Sequence, residues 1–469
     1  MSELEKMFFP RAVGIIGVSN KPFGGGQFLR GLQTMGFDKP LYIFNPRLKG
    51  QVINGLKVHG SILEIPDGEI DYVILAVPAK LCASILEEIG KKKVPFVTIF
   101  TSGFSEVGKD NLEKDVLEVA KKYNIRINGP NCMGVYNPKA RLSISFGQTT
   151  DTGNLGIIGQ SGGLAITLSI LAIYTYGTYI SKSVSIGNQI DLNVVDYLEY
   201  FSTDDDTKII GVYLENIKSQ KIGKDFINIV RKLSFEKRKP VILWKAGYGD
   251  SAKEAILSHT GGLAGSSKIW NSIAKQTGAI LVKNSVELVS LAMLFKYLDI
   301  HQAERNLGII TVGGGSSIET TDLMEMYDLN VPTLNESTKK IFREFIPDVN
   351  TINRNPLDLG AVGIDPKIFS RMILTLDKDP NISIVVIIQF TFNRKSIDEI
   401  IKAKSEMKKP LICIAPRMGN SVSSYRSKLK FKEELFQNGI PTYESTELAA
   451  KALDRVCTYK ESLEKRNVI

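Results

Sequence analysis

Three times along this chain a short run of β-branched and other apolar residues ends in a glycine-rich turn and passes directly into a helical pattern. The first passage is Ala12-Val13-Gly14-Ile15-Ile16-Gly17-Val18, then Ser19 to Gly26, then Gln27-Phe28-Leu29-Arg30-Gly31-Leu32. The second is Leu155-Gly156-Ile157-Ile158, then Gly159-Gln160-Ser161-Gly162-Gly163, then Leu164 to Leu171. The third is Asn306 to Val312, then Gly313-Gly314-Gly315-Ser316-Ser317, then Ile318 to Met326. A strand that is apolar throughout must be covered on both faces, and strands that alternate with helices form parallel, doubly wound sheets. At 469 residues the chain is too long for one core. The expected fold is therefore α/β: a Rossmann-like domain over residues 1–145 and two flavodoxin-like domains over 146–300 and 301–469.

Ligands of such sheets lie at the carboxyl ends of the strands, and a phosphate there can rest on the free N–H groups of a helix N-terminus. In the first domain the strand ends carry Ser19-Asn20-Lys21, Asn45-Pro46-Arg47, Val77-Pro78-Ala79 and Thr101-Ser102-Gly103, and Ile125 to Asn128 supplies a fifth strand. The dinucleotide fingerprint is absent, because Ser19 replaces its second glycine and the loop is longer. After the second strand a nicotinamide site would want Asp or Glu, and Asn45 stands there; Arg47 and Lys49 suit an additional phosphate instead. These departures count against an NAD(P) oxidoreductase, which remains a structural competitor.

In the second domain, strands over Tyr179 to Ile186, Lys208 to Leu214 and Pro240 to Trp244 end at Gly187-Asn188-Gln189, Glu215-Asn216 and Lys245-Ala246-Gly247. Glu215 and the Gln160–Gly163 turn should share one edge of the sheet. Beyond them lies Ser258-His259-Thr260-Gly261-Gly262-Leu263-Ala264-Gly265-Ser266, which holds one of the chain's three histidines. An imidazole among small residues is presented rather than packed, and neighbouring amides can bind the oxygens of a phosphoryl group on its nitrogen. Taken alone, His-Thr-Gly-Gly is a glycine turn with a solvated histidine, and a glutamate at a strand end is a solvated carboxylate. Glu215 becomes a partner for His259 only if the two meet, since a carboxylate fixes the imidazole tautomer and stabilises its cation.

These motifs resemble the alpha subunits of ADP-forming acetyl-CoA/acyl-CoA synthetases, relatives of succinyl-CoA synthetase. The resemblance is carried by Ile157 to Gly163, Ser185-Ile186-Gly187-Asn188-Gln189, Tyr213-Leu214-Glu215, Ser258 to Gly265 and Asn128-Gly129-Pro130-Asn131-Cys132-Met133-Gly134. It implies a phosphohistidine at His259, a supporting Glu215, and phosphate binding by Gln160, Ser161, Gly162, Gly163, Gly261 and Gly262. It also implies coenzyme A at Gly17, Ser19, Lys21, Gly24, Gly25, Gly26, Asn45, Arg47, Val77, Pro78, Ser102 and Gly103. Gly262 and Gly159 stand where serine is common in the family, which leaves the acyl specificity open. The implied reaction converts an acyl-CoA, with acetyl expected, phosphate and ADP into the carboxylic acid, CoA and ATP. A CoA-sensing protein without catalysis is the alternative; such proteins often lose the histidine that this chain keeps.

No G-x-x-x-x-G-K-[ST] loop is present, and three domains leave no length for an ATP-grasp module. ADP or ATP with Mg2+ is therefore expected on a separate beta subunit, in an α2β2 assembly. In the third domain Asn355-Pro356-Leu357-Asp358-Leu359 resembles the Asn-Pro-x-Asp-Leu turn of the family's second ligase-like domain, and a structural duty is expected because no histidine or obvious base follows the glycine turn. The four cysteines form no Cys-x-x-Cys pair, so neither a metal site nor a disulfide framework is expected, and Cys132 reads as a small buried residue. His59, in a loop before Gly60, and His301, at a domain junction, read as ordinary surface or packing residues. The net charge of +9 is dispersed; runs such as Lys91-Lys92-Lys93 and Lys237-Arg238-Lys239 read as solvated helix ends and loops, not as a nucleic-acid stripe. No apolar run is long enough to span a bilayer and the first residues lack a signal-peptide pattern, so a cytoplasmic protein without membrane contact is expected.

Overall fold

The structure is a computed structural model that describes residues 3–21, 23–145, 147–247, 249, 251, 266–346, 354–416 and 421–469. It contains three sheets among these residues. The chain divides into two compact units: residues 1–173 with 178–288, and residues 174–177 with 289–469.

The first unit holds two sheets. One is built from β1 (Val13–Ile16), β2 (Leu41–Phe44), β3 (Val52–Ile53), β4 (Leu56–His59), β5 (Tyr72–Leu75), β6 (Phe96–Ile99) and β7 (Arg126–Asn128). Their order is β3-β4-β2-β1-β5-β6-β7. Without the β3 edge this is the order of doubly wound nucleotide folds, with its reversal between β1 and β5. The apolar runs are buried at every position of β1, β5 and β6. Buried Asp71 anchors the entry to the sheet by accepting from the backbone and guanidinium of Arg11 at 2.7 to 2.9 Å.

The other sheet is built from β8 (Gly134–Tyr136), β9 (Leu155–Gly159), β10 (Ile180–Ser185), β11 (Ile209–Leu214), β12 (Val241–Lys245) and β13 (Ile280–Val282). Its order is β13-β12-β11-β9-β10-β8. The five parallel strands follow the flavodoxin-like order, with the reversal between β9 and β11. Asn128 joins the two sheets: its Nδ2 donates to Ser185 O at 3.0 Å, and its Oδ1 accepts from the Tyr197 hydroxyl at 2.9 Å. Arg126, paired with Asp191 and Asp196, makes a second tie.

The second unit carries β14 (Leu307–Thr311), β15 (Leu357–Asp358), β16 (Ile384–Ile388), β17 (Leu411–Ile414) and β18 (Thr442–Tyr443), in the order β15-β14-β16-β17-β18. All pairs are parallel, and the flavodoxin-like order recurs. Its core packs Phe342, Phe369, Leu376, Phe431 and Leu435 around the strands.

The α/β class and the three strand–turn–helix passages are as the sequence predicts. Four expectations are corrected. The sheets are not wholly parallel, because β3 runs antiparallel to β4 and β8 runs antiparallel to β10. His59 is not in a loop; it ends β4, opposite Phe44, with its ring near Tyr42 and Phe44. Leu357 and Asp358, read as part of a turn, form β15. Lys239 is not solvated: its residue is 8% exposed and its ammonium donates to Phe201 O and Asp204 O, both at 2.7 Å.

Candidate functional site

In the second sheet the helices after β9 and β11 leave in opposite directions, which opens a crevice at their carboxyl ends. Gln160 follows β9 and spans that crevice. Its N–H donates to Tyr213 O at 3.0 Å, and its Oε1 accepts from the N–H groups of Glu215 and Asn216 at 2.8 and 3.2 Å. The side chain thereby fixes the turn after β9 to the turn after β11. The helix Gly162–Tyr176 starts at this turn, with Ser161 Oγ accepting from Leu164 N. The N–H groups of its first residues have no intrahelical acceptor, and they carry the positive end of the helix dipole.

Glu215 is 6% exposed and accepts from the Tyr213 hydroxyl at 3.1 Å. Beside it Lys245, 1% exposed, ends β12 and donates to Glu215 O at 2.8 Å and to Ala246 O at 2.5 Å. Burial lowers the Lys245 ammonium to about 8, against the opposing pull of Glu215.

A cavity of about 220 Å³ opens on the same crevice, lined by Phe100, Asn131, Cys132, Met133, Gln160, Ser161, Gly162, Gly163, Gly187 and Asn188. Both sheets of the first unit contribute: Phe100 follows β6, and Gly187 and Asn188 follow β10. Burial pushes the Cys132 thiol up to about 12, and its sulfur lies near Asn128 O and Ile99 O, so it is a core group rather than a nucleophile. Asn188 donates from Nδ2 to Glu106 at 2.6 Å and to Glu113 at 3.1 Å. Burial alone would raise the Glu106 carboxyl, but hydrogen bonds from Gly103, Asn188 and Phe104 hold it below the usual range.

The reversal between β1 and β5 gathers the residues expected to hold CoA. Gly17 has φ +95, and a Cβ there would lie 2.2 Å from Ala76 O, so only glycine fits. Side chains on Gly25 and Gly26 would collide with the carbonyls of Gly17 and Lys21 within the same turn. Asn45 is spent on that scaffold, donating to Val18 O at 2.8 Å and accepting from Arg47 N at 3.0 Å. Lys21, Arg47, Pro78 and Ser102 are exposed along the rim, while Ser19, Gly24, Val77 and Gly103 are half-buried. Thr101 Oγ1 ties that rim together by donating to Val77 O. Lys49 is drawn away to Glu64 at 2.9 Å. His259, Gly261 and Gly262 lie outside the described residues.

No pattern in the sequence gives Lys245, Phe100 or Met133 a place in the site or pairs Asn188 with Glu106 and Glu113. Lys245 carries a charge at the end of an apolar strand, which is the one signal that could have flagged it. The carboxylates behind Asn188 are some seventy-five residues away or more in sequence, and no local pattern links them.

A family model described as a CoA binding domain matches residues 11–138, and one described as a succinyl-CoA ligase like flavodoxin domain matches residues 152–295. The chain is 35% identical over 460 residues to the alpha subunit of acetate–CoA ligase (ADP-forming) II of Pyrococcus furiosus, covering 96% of each. It is 36% identical over 474 residues to acetate–CoA ligase (ADP-forming) of Methanocaldococcus jannaschii, where 99% of this chain covers 64% of the relative. Its structure matches the dinucleotide-forming acetyl-coenzyme A synthetase 1 of Ca. Korarchaeum cryptofilum, solved in complex with phosphate and ADP, with a TM-score of 0.86, 28% identity and 99% coverage of both chains. With the fold, the order of its motifs and similarity along its whole length in agreement, the chain belongs to the family of ADP-forming acetate–CoA ligases, enzymes that form carbon–sulfur bonds.

Proposed function

We propose that this chain is the alpha subunit of a cytoplasmic ADP-forming acyl-CoA synthetase, with acetyl-CoA as its expected substrate. Residues 1–145 would bind CoA, 146–300 would carry the phosphoryl chemistry, and 301–469 would form the second ligase-like domain. The observation that carries this reading is the Gln160 bridge, which sets a helix N-terminus and Glu215 on one crevice that also opens toward the first sheet.

CoA lies along the β1/β5 reversal, with the turn from Gly17 to Gly26 around its phosphates and Arg47 free to meet a further one. Phosphate sits on the N–H groups of Gly162 and Gly163 beside Gln160 and Ser161. A phosphate oxygen attacks the thioester carbonyl; the carbon–sulfur bond breaks, and the thiolate leaves and takes a proton. The same amides offset charge as it develops on oxygen. A nitrogen of neutral His259 then attacks the phosphorus of the acyl phosphate, and the carboxylate leaves. Glu215 stabilises the cationic ring, and Gly261 and Gly262 hold the phosphoryl oxygens. Transfer to ADP completes ATP, and the two nucleophilic steps replace one harder transfer. The nucleotide site, where Mg2+ would neutralise phosphate charge, belongs to a beta subunit with an ATP-grasp domain in an α2β2 assembly.

The test supplies the chain and this partner with acetyl-CoA and radiolabelled phosphate. The expected result is an acid-labile, base-stable label on wild type and none on His259→Asn. Full labelling or full ATP synthesis by His259→Asn would refute the assignment.

A further inference from the structure

We propose that Lys245 is a positioning residue for the second nucleophilic step: it sets Glu215, and the segment that carries His259, for transfer of the phosphoryl group. This deepens the ADP-forming ligase reading and rests on it.

Connectivity comes first. Lys245 is the last residue of β12, and the helix Ser267–Thr277 lies on the far side of His259 in sequence. The Lys245 ammonium meets both of these ends. On the departing side it donates to Ala246 O at 2.5 Å, and Ala246 N is itself fixed by donating to Leu214 O at 2.9 Å. On the returning side the buried ring of Trp270 lies 5.6 Å from the ammonium. That ring is held in turn by Phe226, edge-on, with centroids 6.0 Å apart. The remaining contact is Glu215 O at 2.8 Å, in the residue whose carboxylate accepts from the Tyr213 hydroxyl. One nitrogen thus fixes the backbone on either side of His259 in sequence together with the backbone of its carboxylate partner.

Free energy comes second. Lys245 is buried, its hydrogen bonds go to backbone carbonyls, and it forms no ion pair among the described residues. A buried ammonium without an ion pair is destabilising, and an apolar side chain of similar length would fill the same space at lower cost. Packing alone therefore does not call for lysine here. What an apolar chain lacks is a charge-assisted donor to two carbonyls on neighbouring strand ends. The division of labour follows. Gln160 bridges the turns after β9 and β11 on the side where phosphate is expected, and Lys245 continues that frame from β11 to β12, where the chain departs toward His259. Gln160 belongs to the attack of phosphate on the thioester; Lys245 belongs to the attack of the imidazole on phosphorus.

The test separates the two steps in the chain with its ATP-grasp partner, at pH 7 and without ADP. Phosphate-dependent exchange of labelled CoA into acetyl-CoA reports the first step alone. Base-stable label on the protein, from acetyl-CoA and radiolabelled phosphate, reports the second. His259→Asn should keep the exchange and take no label. Lys245→Met should exchange within about three-fold of wild type and take label at least about thirty-fold more slowly, as a displaced but intact nucleophile does. Trp270→Leu, which takes the ring from the ammonium and leaves both carbonyl contacts, should show the same one-sided slowing to a smaller degree, and it carries the test if Lys245→Met does not fold. Labelling at the wild-type rate, or loss of exchange and labelling in equal proportion, would overturn the positioning role and leave the ligase reading standing. Wild type that shows neither exchange nor label would overturn the ligase reading and this inference with it.

Discussion

Lys245 places an ammonium where the sequence suggests only the end of an apolar strand. Its nitrogen reaches two carbonyls at the ends of β11 and β12, and the Trp270 ring lies 5.6 Å away. Because burial lowers its ionisation to about 8 from the ordinary 10.5, the consequence for stability has a definite sign. Below pH 8 both folded and unfolded chains carry the proton, and the fold bears the full cost of the buried charge. Between about 8 and 10.5 the folded protein sheds a proton that the unfolded chain keeps, so stability rises with pH. Wild type should gain on the order of 3 kcal/mol over that window relative to Lys245→Met, read from urea denaturation at several pH values. Equal pH slopes in the two proteins would show that Lys245 does not titrate there. Lys239 makes a related point about legibility. Read as part of a solvated basic run, it buries its stem and satisfies its ammonium on backbone carbonyls. A lysine's stem suits either environment, and sequence alone does not choose between them.

Elements were more legible than residues. Long apolar runs announced β1, β5, β9, β11, β14 and β16, because a strand covered on both faces has no polar side to disguise it. The β3–β4 hairpin was missed: Val52 is exposed, and Leu56-Lys57-Val58-His59 alternates in a way that short loops also do. The glycine turns were read as phosphate cradles, and the structure adds a second reason for some of them. Gly17 is held by the carbonyl of Ala76 as well as by its own φ. Gly17→Ala should therefore cost about 3 kcal/mol or more and weaken CoA binding, measured by denaturant midpoint and calorimetric titration. A variant of native stability would mean that the turn can shift to admit a methyl group. By contrast, a Cβ on Gly163 meets nothing within 4 Å, which leaves its space to the cavity.

At the scale of the whole molecule, the chain divides into two compact units although three sheets are legible in it. Repeated strand–turn–helix passages reveal the sheets, but not which of them share a core, since that depends on distant pairs such as Asn128 with Ser185 and Arg126 with Asp191. Calorimetry should resolve the consequence. CoA at a hundred-fold excess over its dissociation constant should stabilise the unit of residues 1–173 and 178–288 by about 2.7 kcal/mol and leave the transition of the other unit in place. A single transition, or two that move together, would show that the units melt as one. The antiparallel edge strand β8 has a further consequence, for inheritance. The polypeptide leaves the first sheet at Asn128 and, within a few residues, lends Gly134–Tyr136 to the second before β9 begins. A gene rearrangement cut between β8 and β9 would hand one descendant the second sheet with an uncovered margin and the other a strand with nothing to join. Exchange of the first domain between relatives at that point is thereby disfavoured.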